Sequence, residues 1–379
     1  MSTSYPILLF IPNLQQGGAE RQILELMTRL PDRFAPTLCV YEDTTHYAEY
    51  LPSGEPRYNL RVRKMGPVGL SRLVRVLREV RPAILHSYRE KANMWARLAA
   101  MLEPVPIVVV SFRNRAIHPI HLVSEPVLSR VSDRVLTNSI GIKHELVRFA
   151  RVAPEKIQII HNFIDLDKFQ PATGEQRARA RARYGLSDDD VALLLPGRIS
   201  LQKHQLGLIV SLHHLVRRGL LRQNIRVLLA GRERDRWVVG LLPRLMSLLD
   251  VDRNTERLGP IDDMVGLYHA ADALVMPSLF EGLPNAVLEA HACGLPAVVS
   301  HAANVDGLVI DGESGFEVPT FAHRAFAEAI ARIVALPREK RRQMGLHGRQ
   351  HIATHFSVDR VLGETTELYD TLLAEKGLA

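Results

Sequence analysis

Two glutamates, Glu281 and Glu289, stand eight residues apart around a run that must turn from strand to helix, Ser278-Leu279-Phe280-Glu281-Gly282-Leu283-Pro284-Asn285. The run follows an apolar stretch ending at Met276-Pro277, and Pro284 suits the first position of a helix, where its missing N–H costs little. Glu281 then lies in the loop and Glu289 about one and a half turns into the helix. The free N–H groups and dipole of that helix start favour a diphosphate. A carboxylate on either side of such an anion can accept hydrogen bonds from hydroxyls. Two glutamates at this spacing mean little alone; the buried strand and the E-G-L-P-N turn make the pattern specific. A second set, Arg198 and Lys203, lies in Pro196-Gly197-Arg198-Ile199-Ser200-Leu201-Gln202-Lys203 after another apolar run. Fixed cations after a strand end stabilise negative charge that develops beside them. A third, Gly17 and Gly18, lies in Pro12-Asn13-Leu14-Gln15-Gln16-Gly17-Gly18-Ala19-Glu20-Arg21. It is not G-x-G-x-x-G and is a poor dinucleotide fingerprint, yet paired glycines let a backbone approach a ligand closely.

Taken together, these segments resemble the retaining GT-B glycosyltransferases of family 4, which include glycogen synthase-like and bacterial polysaccharide enzymes. The turn at 281–289 resembles the family's E-x7-E signature. That resemblance implies that Glu281 contacts the donor sugar, that Glu289 contacts the ribose, and that the backbone of Gly282, Leu283, Pro284 and Asn285 borders phosphates and sugar. Residues 197–203 resemble the family's G-R-x-x-x-x-K segment, making Arg198 and Lys203 the cations at the leaving group and, with Glu281, the catalytic set. Gly17 and Gly18 fall in a segment similar to the family's G-G-A-E-R loop. Arg257 and Leu258, followed by Gly259, sit where family members touch the base through backbone atoms. Thr137-Asn138-Ser139 resembles a family strand end, although Ser139 serves equally as a plain N-cap. His161-Asn162-Phe163-Ile164-Asp165 resembles the N-G-I-D segment, with Phe163 where glycine is common. One departure stands out. Many relatives carry a histidine near the reacting sugar, after the fourth or fifth strand of the first domain. Here that region reads Val110-Ser111-Phe112-Arg113-Asn114-Arg115. Arg113, the displaced His118 and the earlier His86 are the candidates to replace it, a lone histidine being more often structural.

Short apolar runs must position these groups. In the first half they cover 7–11, 37–41, 83–86, 107–111, 135–138 and 157–161, separated by amphipathic segments such as 70–80. Near-continuous apolar strands alternating with helices indicate a parallel sheet covered on both faces. The rhythm restarts after Gln170-Pro171-Ala172-Thr173-Gly174, with strands at 191–195, 225–230, 273–276 and 297–300 and helices near 203–218, 238–249, 284–293 and 322–335. The expectation is α/β: two Rossmann-like doubly wound domains facing across a cleft. Residues 1–167 form the acceptor-side domain, completed by a helix in 356–379 that the resemblance packs back on it. Residues 168–355 form the donor-binding domain.

The 379 residues suffice for two domains, and 46% hydrophobic with 23% charged composition argues against disorder. Two cysteines, Cys39 and Cys293, lack metal-ligand spacing and fit a reducing compartment. The first apolar run has no basic segment before it and reads as a strand, not a signal peptide. A cytoplasmic protein is expected. The net charge of +7 is concentrated in residues 1–167, and Arg72, Arg75, Arg78 and Arg81 recur every three residues. That face could rest on an anionic membrane, at the inner face of the plasma membrane, or be plainly solvated. Arg177–Arg183 reads as the solvated start of a helix with no nucleic-acid role, and Asp188-Asp189-Asp190 as a solvated loop rather than a metal site. The expected partners are a nucleotide-sugar donor, UDP-linked most commonly, and a glycan or lipid-linked acceptor in bacterial surface polysaccharide synthesis. No cofactor and no metal are required. Two rivals remain: a nucleotide-sugar 2-epimerase of the same fold, against which the E-x7-E and G-R-x4-K contexts speak, and a non-catalytic nucleotide-sugar-binding protein.

Overall fold

The structure, a computed structural model, describes residues 4–15, 17–42, 57–115 and 119–378. It divides into two compact units, Met1–Phe163 with Val358–Ala379, and Ile164–Ser357. The first division falls four residues before the expected 167/168 boundary, because the Ile164 N–H bonds the Phe356 carbonyl at 2.9 Å and so belongs with the second unit.

Unit 1 runs β1 (Tyr5–Ile11), α1 (Gly18–Arg29), β2 (Phe34–Val40), β3 (Arg57–Asn59), α2 (Pro67–Val80), β4 (Ile84–Tyr88), α3 (Glu90–Leu102), β5 (Ile107–Phe112), α4 (Pro119–Leu128), β6 (Arg134–Thr137), α5 (Ile140–Arg148) and β7 (Ile157–Ile159). Unit 2 runs α6 (Gly174–Arg183), β8 (Val191–Pro196), α7 (Gln205–Val216), β9 (Ile225–Ala230), α8 (Arg236–Leu248), β10 (Thr255–Gly259), α9 (Met264–Ala270), β11 (Ala273–Met276), α10 (Asn285–Ala292), β12 (Ala297–Ser300), β13 (Gly315–Val318), α11 (His323–Ala335) and α12 (Arg338–His355). The last helix, α13 (Val358–Glu375), returns to unit 1, where Val361, Leu368, Tyr369, Leu372 and Leu373 join the core beneath β1 and β4.

The sheets are parallel, ordered β3-β2-β1-β4-β5-β6-β7 and β10-β9-β8-β11-β12-β13. In each, the chain steps outward from its first strand, then reverses to add strands on the other side. The reversals lie between β1 and β4 and between β8 and β11, and ligands of such sheets bind beyond the strand ends at this switch point. The central strands are buried on both faces: every residue of β8 is buried, as are Ile7 through Ile11. Strands β3, β10 and β13 escape the sequence pattern because they are sheet edges with exposed, charged or short sequences, Thr-Glu-Arg-Leu-Gly in β10 among them.

Two expectations need correction. The arginine-rich α6 is solvated only in part. Arg181 is buried and donates to the Asp272 carboxylate at 3.0 Å, the Ala270 carbonyl at 3.0 Å and the Asp190 carbonyl at 2.8 Å. Arg177 donates to the other Asp272 oxygen at 2.7 Å. The four-residue spacing puts both on the inward face, where a buried aspartate demands counter-charge. Pro284 is the N-cap of α10, not its first residue, since its ψ of 105° is extended. As for the acidic run, Asp190 turns its carboxylate onto the Ser187 N–H at 2.6 Å. Among the described residues no cluster of three or more acidic, histidine or cysteine side chains is arranged to hold a metal.

Candidate functional site

In unit 2 the two loops flanking the switch point meet. Lys203, from the turn after β8, places Nζ 2.7 Å from Glu281 Oε1, in the turn after β11. The other carboxylate oxygen accepts from Gln202 Nε2 at 3.3 Å, which also donates to the Phe280 carbonyl at 3.1 Å. The Leu279 N–H closes the loops on the Gln202 carbonyl at 2.8 Å. Glu281 is 6% exposed, so both its oxygens are oriented before any ligand arrives. Gln202 was overlooked as a site residue; nothing in a lone glutamine signals that it will bridge two loops.

Around this pair the backbone makes a glycine floor. Gly197, Gly231 and Gly259, at the ends of β8, β9 and β10, have φ of 137°, 152° and 71°. The Gly197 N–H donates to the Ala230 carbonyl and the Gly231 N–H to the Gly259 carbonyl, both at 2.7 Å. A Cβ on Gly231 would lie 2.2 Å from the Gly197 carbonyl oxygen. Only glycine permits this approach. Gly231 also went unread, standing in no motif. Arg198, on the same turn, is exposed, and its carbonyl accepts from Gln205 Nε2 at 2.9 Å.

Glu289 lies on α10, 7% exposed, with Oε2 accepting from the buried Tyr268 hydroxyl at 2.8 Å. Gly282, Leu283 and Pro284 are buried in the turn, and Asn285 opens the helix half-exposed. Arg257 pairs with Glu233, and the β9–β10 register slips between Arg257 and Gly259, a bulge that turns the strand at Leu258.

Unit 1 has its own switch-point pair. Arg89, after β4, donates to Glu20 Oε1 at 2.7 Å from α1. Gly17 caps α1 in an extended conformation, and Gly18 is its first residue. A Cβ on Gly17 would stand 2.2 Å from Glu20 Oε2, so the glycine makes room for the carboxylate. Beside the pair runs a buried polar chain. His86 contacts the Tyr369 hydroxyl through Nδ1 at 2.6 Å and the Ser111 hydroxyl through Nε2 at 2.8 Å. Burial first, then the charge of Arg113, hold its pKa well below 6.5. Both ring nitrogens are engaged and the ring has no exposure, which makes His86 a core histidine rather than an open acid or base. Arg113 directly follows β5 and donates to Asn162 Oδ1 at 2.9 Å, its guanidinium carbon 5.2 Å from the Tyr88 ring centroid. His118 lies outside the described residues. Cys39 and Cys293 are buried, and desolvation raises both thiols far above their usual range, leaving them unreactive.

The family described as "Glycosyl transferases group 1" matches residues 176–351, and "Glycosyltransferase Family 4" matches residues 16–168. A D-inositol 3-phosphate glycosyltransferase of Saccharomonospora viridis is 34% identical over 65% of this chain and 58% of its own length. The chain thus spans little more than half the length of that relative, and 55% of its Streptomyces bingchenggensis counterpart. A UDP-Gal:alpha-D-GlcNAc-diphosphoundecaprenol alpha-1,3-galactosyltransferase of Escherichia coli is 25% identical over 80% of this chain and 79% of its own. Among solved structures, Anabaena HepE in complex with UDP and glucose superposes with a TM-score of 0.84 at 18% identity, covering 97% of this chain and 100% of that one. Sucrose-phosphate synthase of Thermosynechococcus elongatus gives a TM-score of 0.81 at 20% identity, over 98% and 100%. Both structures share the GT-B fold with this chain.

Proposed function

Because the chain belongs, through both of its halves, to the family 4 group 1 glycosyltransferases, we propose that it moves a sugar from a nucleotide sugar, UDP-linked, onto a glycan or lipid-linked acceptor with retention of configuration. One observation carries the reading: Glu281 is held by Lys203 and Gln202 across the unit 2 switch point. That geometry offers a carboxylate for sugar hydroxyls beside a cation for the leaving diphosphate. Arg198 supplies the second cation, Glu289, steadied by Tyr268, takes the ribose, and the backbone around Arg257 and Leu258 meets the base. The acceptor oxygen bonds to the anomeric carbon on the face from which the diphosphate leaves. The C–O bond to phosphate breaks, and the acceptor's proton passes to the departing phosphate oxygen. Two protein cations serve as counter-charge, so the scheme uses no metal and no cofactor.

The relatives' printed acceptors, an inositol phosphate and a diphospholipid-linked sugar, support an acceptor of bacterial glycoconjugate synthesis. On this reading the acceptor is met on the cytoplasmic side, where the arginine face of α2 would rest on lipid. Arg72 and Arg78 are also engaged within unit 1, by the Leu60 carbonyl and by Glu103 at 2.7 Å each, and Arg75 and Arg81 are exposed. No helix of the described residues is long and apolar enough to cross a membrane.

The test is a melting-temperature shift across a panel of nucleotide sugars, followed by transfer assays with the donor that binds. One donor should stabilise the protein, and Glu281→Ala and Arg198→Ala should abolish the shift. Absence of any shift with every nucleotide and nucleotide sugar would reject the reading.

A further inference from the structure

We infer that the carboxyl ends of β4, β5 and β6 in unit 1 form a binding site for an oxyanion, phosphate or carboxylate, carried by a substrate, with Arg113 as its cation. Arg113 is 9% exposed, yet no carboxylate is among its partners in the described residues. Three carboxylates of unit 1 that are buried or nearly so are held by other arginines. Glu20 holds Arg89, Glu145 holds Arg115 at 2.9 Å, and Glu125 holds Arg97 through two bonds, both side chains being fully buried. Among the described residues, the groups that interact with Arg113 are neutral: the Asn162 amide, the ring and hydroxyl of Tyr88, the Tyr369 hydroxyl and the His86 imidazole, which burial and the arginine's charge keep unprotonated. Buried charges in folded proteins are paired or bind a ligand of opposite charge, since an uncompensated one is costly.

Two open hydrogen-bonding atoms show what the ligand must offer. Among the described residues, Arg113 Nε is buried without an acceptor, and Asn138 Oδ1 is buried without a donor. Asn138 Nδ2 gives its proton to Asn162 Oδ1 at 3.1 Å, the same oxygen that Arg113 uses, so one asparagine ties the two open atoms together. An oxyanion flanked by a hydroxyl, as on a sugar or polyol phosphate or a uronic acid, would satisfy both. The anion chemistry stands on these side chains alone; its assignment to a transferase substrate rests on the function proposed above.

The experiment is a calorimetric titration of the full chain with inorganic phosphate and, separately, methyl glucuronate, in saturating UDP so that the diphosphate site of unit 2 is filled. The wild type should bind one of these anions, and Arg113→Gln should weaken binding at least about ten-fold. Asn162→Asp supplies a carboxylate to Arg113 from within, nearly isosterically. It should keep or raise the melting temperature while losing the anion, which a purely structural arginine would not predict, and it decides the matter if Arg113→Gln fails to fold. Transfer assays then separate the sources. Loss in Asn162→Asp of the KM preference for a phosphorylated over a dephosphorylated acceptor places the anion on the acceptor. Loss of preference for a uronic over a neutral donor places it on the transferred sugar. An absence of binding in the wild type, or binding that Asn162→Asp leaves intact, overturns the site. If UDP does not bind but phosphate still binds through Arg113, the transferase reading falls and the oxyanion site stands.

Discussion

In unit 2 the switch-point pair Lys203–Glu281 joins the turns after β8 and β11; in unit 1 Arg89–Glu20 joins the segments after β4 and β1. The topology is the same, the construction is not. Both members of the unit 2 pair sit inside short contiguous motifs, and the rest of the site is backbone: three glycines, a bulge and a helix start. The polar ground of unit 1 is assembled from β4, α3, β5, the ends of β6 and β7, and α13, one or two side chains from each. The unit 2 groups are written locally in the chain, whereas the polar ground of unit 1 is collected from the whole domain.

That contrast can be broken most forcefully at the fully buried Arg97–Glu125 pair of unit 1. Glu125→Gln strands a buried guanidinium and should cost about 3–5 kcal/mol in urea unfolding, while the double replacement Arg97→Met/Glu125→Leu should recover most of it. Equal losses in single and double variants would deny that the pair is coupled.

Next in size is the chemistry of unit 2. Glu281→Ala or Lys203→Ala should lower kcat by about 10²–10³, by analogy with other electrostatic stabilisers. Glu20→Gln should act chiefly on KM. A kcat loss for Glu20→Gln as large as that for Glu281→Ala would erase the distinction between the two switch points.

Glycines sharpen the comparison further. Gly231→Ala would force a Cβ against a carbonyl oxygen at a φ of 152°, a strain of about 1–3 kcal/mol that should appear as a lower urea midpoint. Gly17→Ala meets only the movable end of Glu20 and should leave the midpoint nearly unchanged while loosening Arg89.

The smallest effect is in pH. His86 in unit 1 and His291 in unit 2 are both buried, and desolvation lowers both below 6.5, His291 to about 4. The unfolded chain therefore takes up protons first as the pH falls. Stability is full above pH 6.5 and is lost as the pH drops from 6.5 towards 4, continuing lower for His86. Urea midpoints measured between pH 8 and 4 should fall less steeply for His291→Gln than for the wild type; parallel curves would exclude this source.

The chain's order of apolar runs and amphipathic segments determined two doubly wound parallel sheets, since buried strands must be apolar on both faces and their crossovers must be helices. It also determined the unit 2 groups, because Arg198, Lys203 and Glu281 lie in the turns that directly follow β8 and β11, and Glu289 lies in the helix that the second turn starts. Edge strands β3 and β10 stayed hidden because an edge lacks the double burial that marks a central strand, and β13 because its four residues include a glycine and a glutamate. Gln202, Gly231 and Tyr268 act through partners that the chain brings near only on folding, and so did not stand out. His86 shows the converse: in the sequence it stood open between a stand-in for the family's histidine and a structural residue, and only packing against Tyr369 and Ser111 decided that both its nitrogens are spent inside the core. Arg113 is the same lesson reversed. The sequence offered it as a stand-in for a missing histidine, and only the tertiary structure, which buries it with no carboxylate among its partners in the described residues, makes its charge call for an anion.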